Sequence, residues 1–497
     1  MTKVTINRLA TGVPGLDEVL GGGLPEFSFN VIAGPPGCGK TILAHQIMFA
    51  LATPERPALY FTVLGEPPLK MLRYQQQFDF FNSDSINHTI HFINLADVSG
   101  SDDPDQVLRK ITAAVEAHAP ALVIVDSFRT LLMTATPEGN ASNTLQRFTQ
   151  HLGMMMTAWQ ATTFLIGEYF SDTGDASPVL TVADGLIWLR RSVHRNSMVR
   201  KMEVMKMRGQ APLSGLHTFR ISSAGIEVFA PASLGQGAQT QVTVETSGAR
   251  VLTGVPRLDE MLGGGLPRGY SVLIAGPSGS GKSTLAAGFL AEGARCGETG
   301  LIAVFEQRPD RLRTPLLAPL IESGRIGLVD SRAADLSIDE VVVLLLREIA
   351  RLKAARVVID SLSGFELALA PTFREDFRES LSHLVTSLAS VGVTVLMTSE
   401  LEDRYTDLRF SPYGTAFLTD AIIVQRYIEV ESRLRRMIAV VKVRASAHSD
   451  QLREFTIDDA GIHIGGMLVD QEGLLGGMPT RKHPGQRPDG PLNTDDD

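Results

Sequence analysis

Cysteine is scarce in this chain of 497 residues: Cys38 and Cys296 are the only two, and they fall in different halves. That scarcity excludes a disulfide framework and a cysteine-ligated zinc site, and it fits a reducing compartment. Positive charge is also in deficit, with 46 Lys and Arg against 55 Asp and Glu and a net charge of −9. Such a balance argues against a surface built mainly to grip nucleic-acid phosphates. A basic, aromatic-interleaved stretch suited to stacking bases is missing too. No run of about 18 apolar residues occurs, so no membrane span is expected. The opening MTKVTINRLATG lacks the apolar core of a signal peptide. The cytoplasm is the default expectation.

What is present is a repeat. LATGVPGLDEVLGGGLP begins at Leu9 and VLTGVPRLDEMLGGGLP at Val251; Thr11 falls on Thr253, an offset of 253 − 11 = 242. At the same offset VIAGPPGCGKT, from Val31, falls on LIAGPSGSGKS, from Leu273. A period this long is a duplicated domain, not a solenoid unit. A chain of this length with 44% hydrophobic and 20% charged residues is expected to form two or three globular domains. The polar Gly-, Gln- and Thr-rich segment around 233–248 reads as a linker. The expected layout is one domain over 1–232, a second over 249–470 and a flexible Gly/Pro-rich tail over 471–497.

Within each half, short aliphatic runs alternate with segments of helical length. The strand candidates are FNVIAG, ALYFTVL, ALVIVDS, TTFLIG and DGLIWL, then SVLIAG, LIAVFE, ARVVIDS, VTVLMTS and DAIIVQ. Near-continuous apolar strands separated by helices predict an α/β fold whose mainly parallel sheet is covered on both faces. MVRKMEVMKMRG and RRMIAVVKVRAS read as closing antiparallel hairpins.

Gly34-Pro35-Pro36-Gly37-Cys38-Gly39-Lys40-Thr41 and Gly276-Pro277-Ser278-Gly279-Ser280-Gly281-Lys282-Ser283 both satisfy G-x-x-x-x-G-K-[ST], each between an apolar strand and an amphipathic segment. Glycines let successive N–H groups turn inward on phosphate oxygens, and the helix N-terminus adds positive partial charge. Lys40 and Lys282 are placed to neutralise β- and γ-phosphates of ATP; Thr41 and Ser283 are placed to ligate Mg²⁺. A Gly-rich turn can match by chance once, but not twice at matched positions of a repeat. Cys38 reads as a small filler of its loop. Asp126 and Asp360 end buried strands beside the loops and are candidates for the Mg²⁺ shell; the plain alternative is a strand-terminating aspartate.

Together these motifs resemble the KaiC family of RecA-like P-loop ATPases. The resemblance spans about residues 5 to 465 and rests on the TGVPxLDExLGGGLP segments, the two loops, Asp126-Ser127, Asp360-Ser361, and the MKMRG and VKVRA stretches. It implies tandem RecA-like domains stacked as a two-tiered homohexamer with ATP at subunit interfaces. Lys206, Arg208, Lys442 and Arg444 would then reach across to a neighbour's γ-phosphate. Spacing of two on a strand puts both cations of a pair on one face; without the resemblance, a solvated basic edge strand would be the preferred reading. Glu168 and Glu400 close matching strands, where they would sense the γ-phosphate or simply lie at the surface.

Hydrolysis also needs a group that orients and deprotonates water. The family carries adjacent glutamates after the second strand. Here the ungapped offset sets Leu64 against Glu306 and Gly65 against Gln307. The second half therefore keeps a base in Glu306. The first half has only Glu66, displaced by two residues or roughly 6.6 Å if the strand stays extended. The expectation is a hydrolytic second site and a first site that mainly binds ATP.

Known members also autophosphorylate a Ser-Thr pair three and four residues before the Asp of T-D-x-I-I. In Thr419-Asp420-Ala421-Ile422-Ile423 those places hold Phe417 and Ala416, with Thr415 the nearest hydroxyl, read as structural. The tail matches no partner-binding tail of the clock proteins, so timekeeping is not implied. The leading reading is a hexameric regulatory ATPase with a signalling protein as partner. The others are a KaiC-type Ser/Thr autokinase, a RecA-like DNA-dependent ATPase, which single-stranded DNA would stimulate, and a scaffold that uses ATP as interface glue.

Overall fold

Alternation along the strand Phe29–Gly34 sends Phe29, Val31 and Ala33 into one apolar cluster and Ile32 into another, and every residue of the strand is buried. Its counterpart Ser271–Gly276 does the same, with Val272 and Ile274 on one side and Leu273 and Ala275 on the other. A strand buried on both faces needs helices above and below it. Leu43 and Ile47 of the helix Lys40–Leu51 cover one face of the first sheet; Ile111 of Pro104–His118 and Leu152 of Ala141–Ala158 cover the other.

The computed structural model describes residues 6–62, 68–95, 104–127, 141–169, 178–194, 197–231, 249–305, 314–330, 335–401, 417–430, 432–467, 471–472 and 480–481. The chain separates into two compact units, residues 1–231 and 232–497. Each holds a nine-stranded sheet. In the first, the order is Gly225–Phe229, His217–Ser222, Ser197–Met207, Gly185–His194, Phe29–Gly34, Thr162–Glu168, Leu122–Asp126, Ala58–Thr62 and Ile90–Asn94. The six strands from Gly185–His194 to Ile90–Asn94 run parallel, and the other three are antiparallel. The second sheet repeats this order, with Ser271–Gly276 between Thr394–Glu400 and Ala421–Val430. The α/β class and the duplication are as the sequence implies.

The most recognisable sequence segment is structural. Asp17 Oδ1 accepts from Thr11 N at 2.9 Å and Thr11 Oγ1 at 2.6 Å, and Asp259 Oδ1 accepts from Thr253 N at 2.8 Å. The following glycines wrap back with left-handed backbones: Gly22 N and Gly23 N donate to Asp17 O, at φ of 113° and 108°.

Four differences from the sequence reading stand out. Ile90–Asn94 and Ile326–Asp330 are outer parallel strands that hydropathy did not mark, because most of their residues are part-buried or exposed. Gly185–His194 and Ala421–Val430 run well past the apolar stretches that announced them. The segments read as whole hairpins are single arms, Ser197–Met207 and Arg433–Val443, pairing back onto those long strands, and a further hairpin follows in each half. Within the segment expected to be a flexible tail, Gln471–Glu472 pairs with Thr480–Arg481. The segment read as a linker, 233–248, lies outside the described residues.

Candidate nucleotide sites

Both phosphate loops leave the carboxyl end of a central strand and enter a helix, the edge of an α/β sheet where ligands bind. Gly39 and Gly281 precede Lys40–Leu51 and Lys282–Arg295 with φ of 107° and 104°, and a Cβ on either would press on Ile221 or Ile457 at 2.9 and 2.4 Å. Only glycine meets both demands. The lysines are aimed alike. Lys40 Nζ donates to Gly34 O and Pro35 O, both at 2.9 Å, and Lys282 Nζ donates to Gly276 O at 2.8 Å and Pro277 O at 2.7 Å. Each ammonium is folded against the first two carbonyls of its own loop. Burial lowers the pKa of Lys282, while Glu400 and Asp360 pull it back up. Glu400 pairs in register with Gly276, the first residue of the loop. Cys38 is fully buried, and burial pushes its thiol up, so the loop filler is chemically quiet.

The strand-end aspartates are held differently. In the first domain Thr41 Oγ1 and Tyr60 Oη both donate to Asp126 Oδ2, at 2.8 and 2.6 Å. Burial raises the Asp126 carboxyl; the two hydroxyls and Lys40 oppose that, and Glu168 adds to it. In the second domain Thr398 Oγ1 donates to Asp360 Oδ1 at 2.5 Å, and Oδ2 is buried with no partner among the described residues. A buried carboxylate oxygen left without a donor is a hard-oxygen ligand of the kind Mg²⁺ takes, so Asp360 fits the cation, and in the first domain Thr41 and Asp126 stand together as such a pair would. Sequence reasoning missed Tyr60, counting it as one apolar strand residue among several.

The two Lys-x-Arg pairs form a second matched constellation. Lys206 Nζ donates to Thr181 O at 3.0 Å, and Arg208 pairs with Asp184 at 3.0 Å. Lys442 Nζ donates to Thr419 O at 2.6 Å; Arg444 pairs with Asp420 at 3.4 Å and also donates to Phe417 O. Burial and the adjacent arginine lower the pKa of Lys206 and of Lys442. Asp184 and Asp420 in turn accept from the first N–H of the P-loop strand, Phe29 N at 3.0 Å and Ser271 N at 2.9 Å. Each pair therefore sits at the amino end of the strand whose carboxyl end carries the loop, roughly 16 Å away at strand rise. A cavity of about 600 Å³ opens there beside Arg208, lined by Phe29, Gly153, Val182 and Asp184. The aspartates were legible in principle, since DGLIWL and DAIIVQ both begin with one.

The remaining candidates divide. Glu66, Leu64, Glu306, Gln307 and Thr415 lie outside the described residues. Thr62, four residues before Glu66, pairs with Asp126, and Val304, two before Glu306, pairs with Asp360. Phe417, where the family's acceptor threonine would stand, is half-exposed with the Arg378 guanidinium 4.5 Å from its ring centre.

A family model described as "ATPase: KaiC" matches twice, over residues 9–233 and 251–468. The chain belongs to the KaiC ATPase family. Among curated relatives, "Circadian clock oscillator protein KaiC" of Rippkaea orientalis is 26% identical over 500 residues, covering 97% of this chain and 93% of that protein. The protein of the same name from Parathermosynechococcus lividus is 25% identical over 496 residues, covering 96% and 88%. The family is one of ATPases, so membership implies that the chain binds ATP. No described helix is long and apolar enough to cross a membrane.

Proposed function

We propose that the protein is a nucleotide-dependent regulatory ATPase that assembles as a homohexamer with Mg²⁺-ATP between subunits, hydrolysing at the second site and mainly holding ATP at the first. One observation carries the assembly: each Lys-x-Arg pair lies at the far end of the strand from its own phosphate loop, while Arg208 and Arg444 remain more than half exposed. Cations so placed cannot serve their own domain's γ-phosphate. In a ring they face the neighbour's, where a guanidinium and an ammonium offset the charge that develops in phosphoryl transfer. Ser283 and Asp360 would hold Mg²⁺, which would supply positive charge to offset that of the phosphates. Lys282 orients the phosphates, and Glu306 takes the proton of the attacking water.

Complementation tests the trans arrangement. Lys282→Ala and Arg444→Ala chains are each expected to be inactive alone. In mixed rings, about a quarter of the interfaces join an intact loop to an intact arginine under random assembly. Turnover should recover to that fraction of wild type. A mixture no more active than its parents would place the arginine in cis or outside the reaction.

The family also supports an autokinase reading, but Phe417 and Ala416 offer no acceptor hydroxyl. Incubation with γ-labelled ATP should leave far less than one phosphate per chain beside measurable ATP turnover. Stoichiometric labelling would restore the kinase as the main activity.

A further inference from the structure

The two sites treat their aspartates in opposite ways. Asp126 receives two O–H donors on one oxygen, at 2.8 and 2.6 Å, whereas Asp360 receives one on Oδ1 and keeps Oδ2 buried and unpartnered. The donors also come from opposite neighbouring strands. Tyr60 stands on Ala58–Thr62, where the second domain has Ile302; Thr398 stands on Thr394–Glu400, where the first domain has Ile166. Neither residue has a hydroxyl counterpart in the other half.

Tyr60 is also fixed in place. It is fully buried, its ring centre 4.6 Å from that of His45 on the phosphate-loop helix and 5.3 Å from that of Phe92. The second domain has Ala287 and Leu328 at those two positions. Fully buried against both rings, the phenol is held where its hydroxyl meets Asp126.

Short O–H···O⁻ bonds are among the stronger hydrogen bonds, and a buried anionic oxygen without a donor is strongly unfavourable. A cation therefore relieves more at Asp360 than at Asp126, whose charge two hydroxyls already meet. We propose that Tyr60 is a positioning residue of the first site, a built-in donor that lets this site retain nucleotide when Mg²⁺ is withdrawn, while the second site releases it. This rests on the reading of both loops as ATP sites. It gives the ring one cofactor-insensitive nucleotide and one cation-gated nucleotide in each chain.

The test loads the full-length protein with a fluorescent ATP analogue in Mg²⁺, adds excess chelator, desalts, and counts nucleotide retained per chain. Wild type is expected to keep one of every two. Retention should persist in Lys282→Ala, which keeps the ring but disables the second loop, and this assigns the retained nucleotide to the first site without any change at Tyr60. Tyr60→Phe, which removes only the hydroxyl, should load fully in Mg²⁺ and then lose both nucleotides to the chelator. Loss of both nucleotides from wild type, or retention by Tyr60→Phe equal to wild type, overturns the proposal. A first site that takes no nucleotide even in Mg²⁺ overturns the ATP-site reading itself, and the proposal with it.

Discussion

Glu306→Gln is expected to lower ATP turnover by roughly 10²- to 10⁴-fold, the range a general base contributes, while leaving nucleotide binding and ring size intact. The argument runs through the repeat. Loop and second strand keep one ungapped offset, so Glu306 occupies the place that Leu64 holds in the first half. Val304, two residues earlier, pairs in register with Asp360, whose buried carboxylate is the candidate for the Mg²⁺ shell of the second loop. A base belongs beside that shell, on the side from which water reaches the γ-phosphate. Gln keeps the size and hydrogen bonding of the side chain but cannot accept the proton. Steady-state phosphate release measures the effect, and chromatographic size is the control. Turnover within a few-fold of wild type would move the hydrolytic base elsewhere, with Glu66 of the first half the next candidate.

The candidate site positions of this chain stood out in the sequence because they are short motifs with fixed local geometry. A phosphate loop needs glycines at set places and a lysine and hydroxyl at its end, so its residues announce themselves twice. The aspartates Asp126 and Asp360 were legible because a charge at the tip of a buried strand stands out. What was not legible depended on neighbours distant in sequence. Tyr60 reads as a strand residue until Asp126 is seen 2.6 Å from its hydroxyl. Thr398 reads as β-propensity until it is seen on Asp360. The outer strands Ile90–Asn94 and Ile326–Asp330 escaped because an edge is packed on one side, and part-buried residues leave a weak hydrophobic signal. The Asp17–Thr11 and Asp259–Thr253 contacts give the most family-specific segment a role in turn architecture that the sequence alone did not assign.

Lys40→Ala is expected to disperse the ring, whereas Lys282→Ala leaves it assembled and silent. Both lysines make the same contacts to their own loops, two carbonyls each at 2.7 to 2.9 Å, so loss of those bonds is common to both variants. The difference lies in what each nucleotide does. A site without a base holds ATP long enough to serve as part of the subunit interface; a hydrolytic site exchanges it. Saturating ATP at 100 times Kd stabilises whatever state binds it by about 2.7 kcal/mol per site. A charged hydrogen bond to the phosphates contributes about 1.5–3 kcal/mol, so removing Lys40 cancels most of that stabilisation at every first-tier interface at once. Sizing in Mg²⁺-ATP should therefore return Lys40→Ala as a small species and Lys282→Ala as a ring. A ring of unchanged size in Lys40→Ala would mean that contacts other than the first nucleotide hold the subunits together, and the division of labour between the two sites would have to be abandoned.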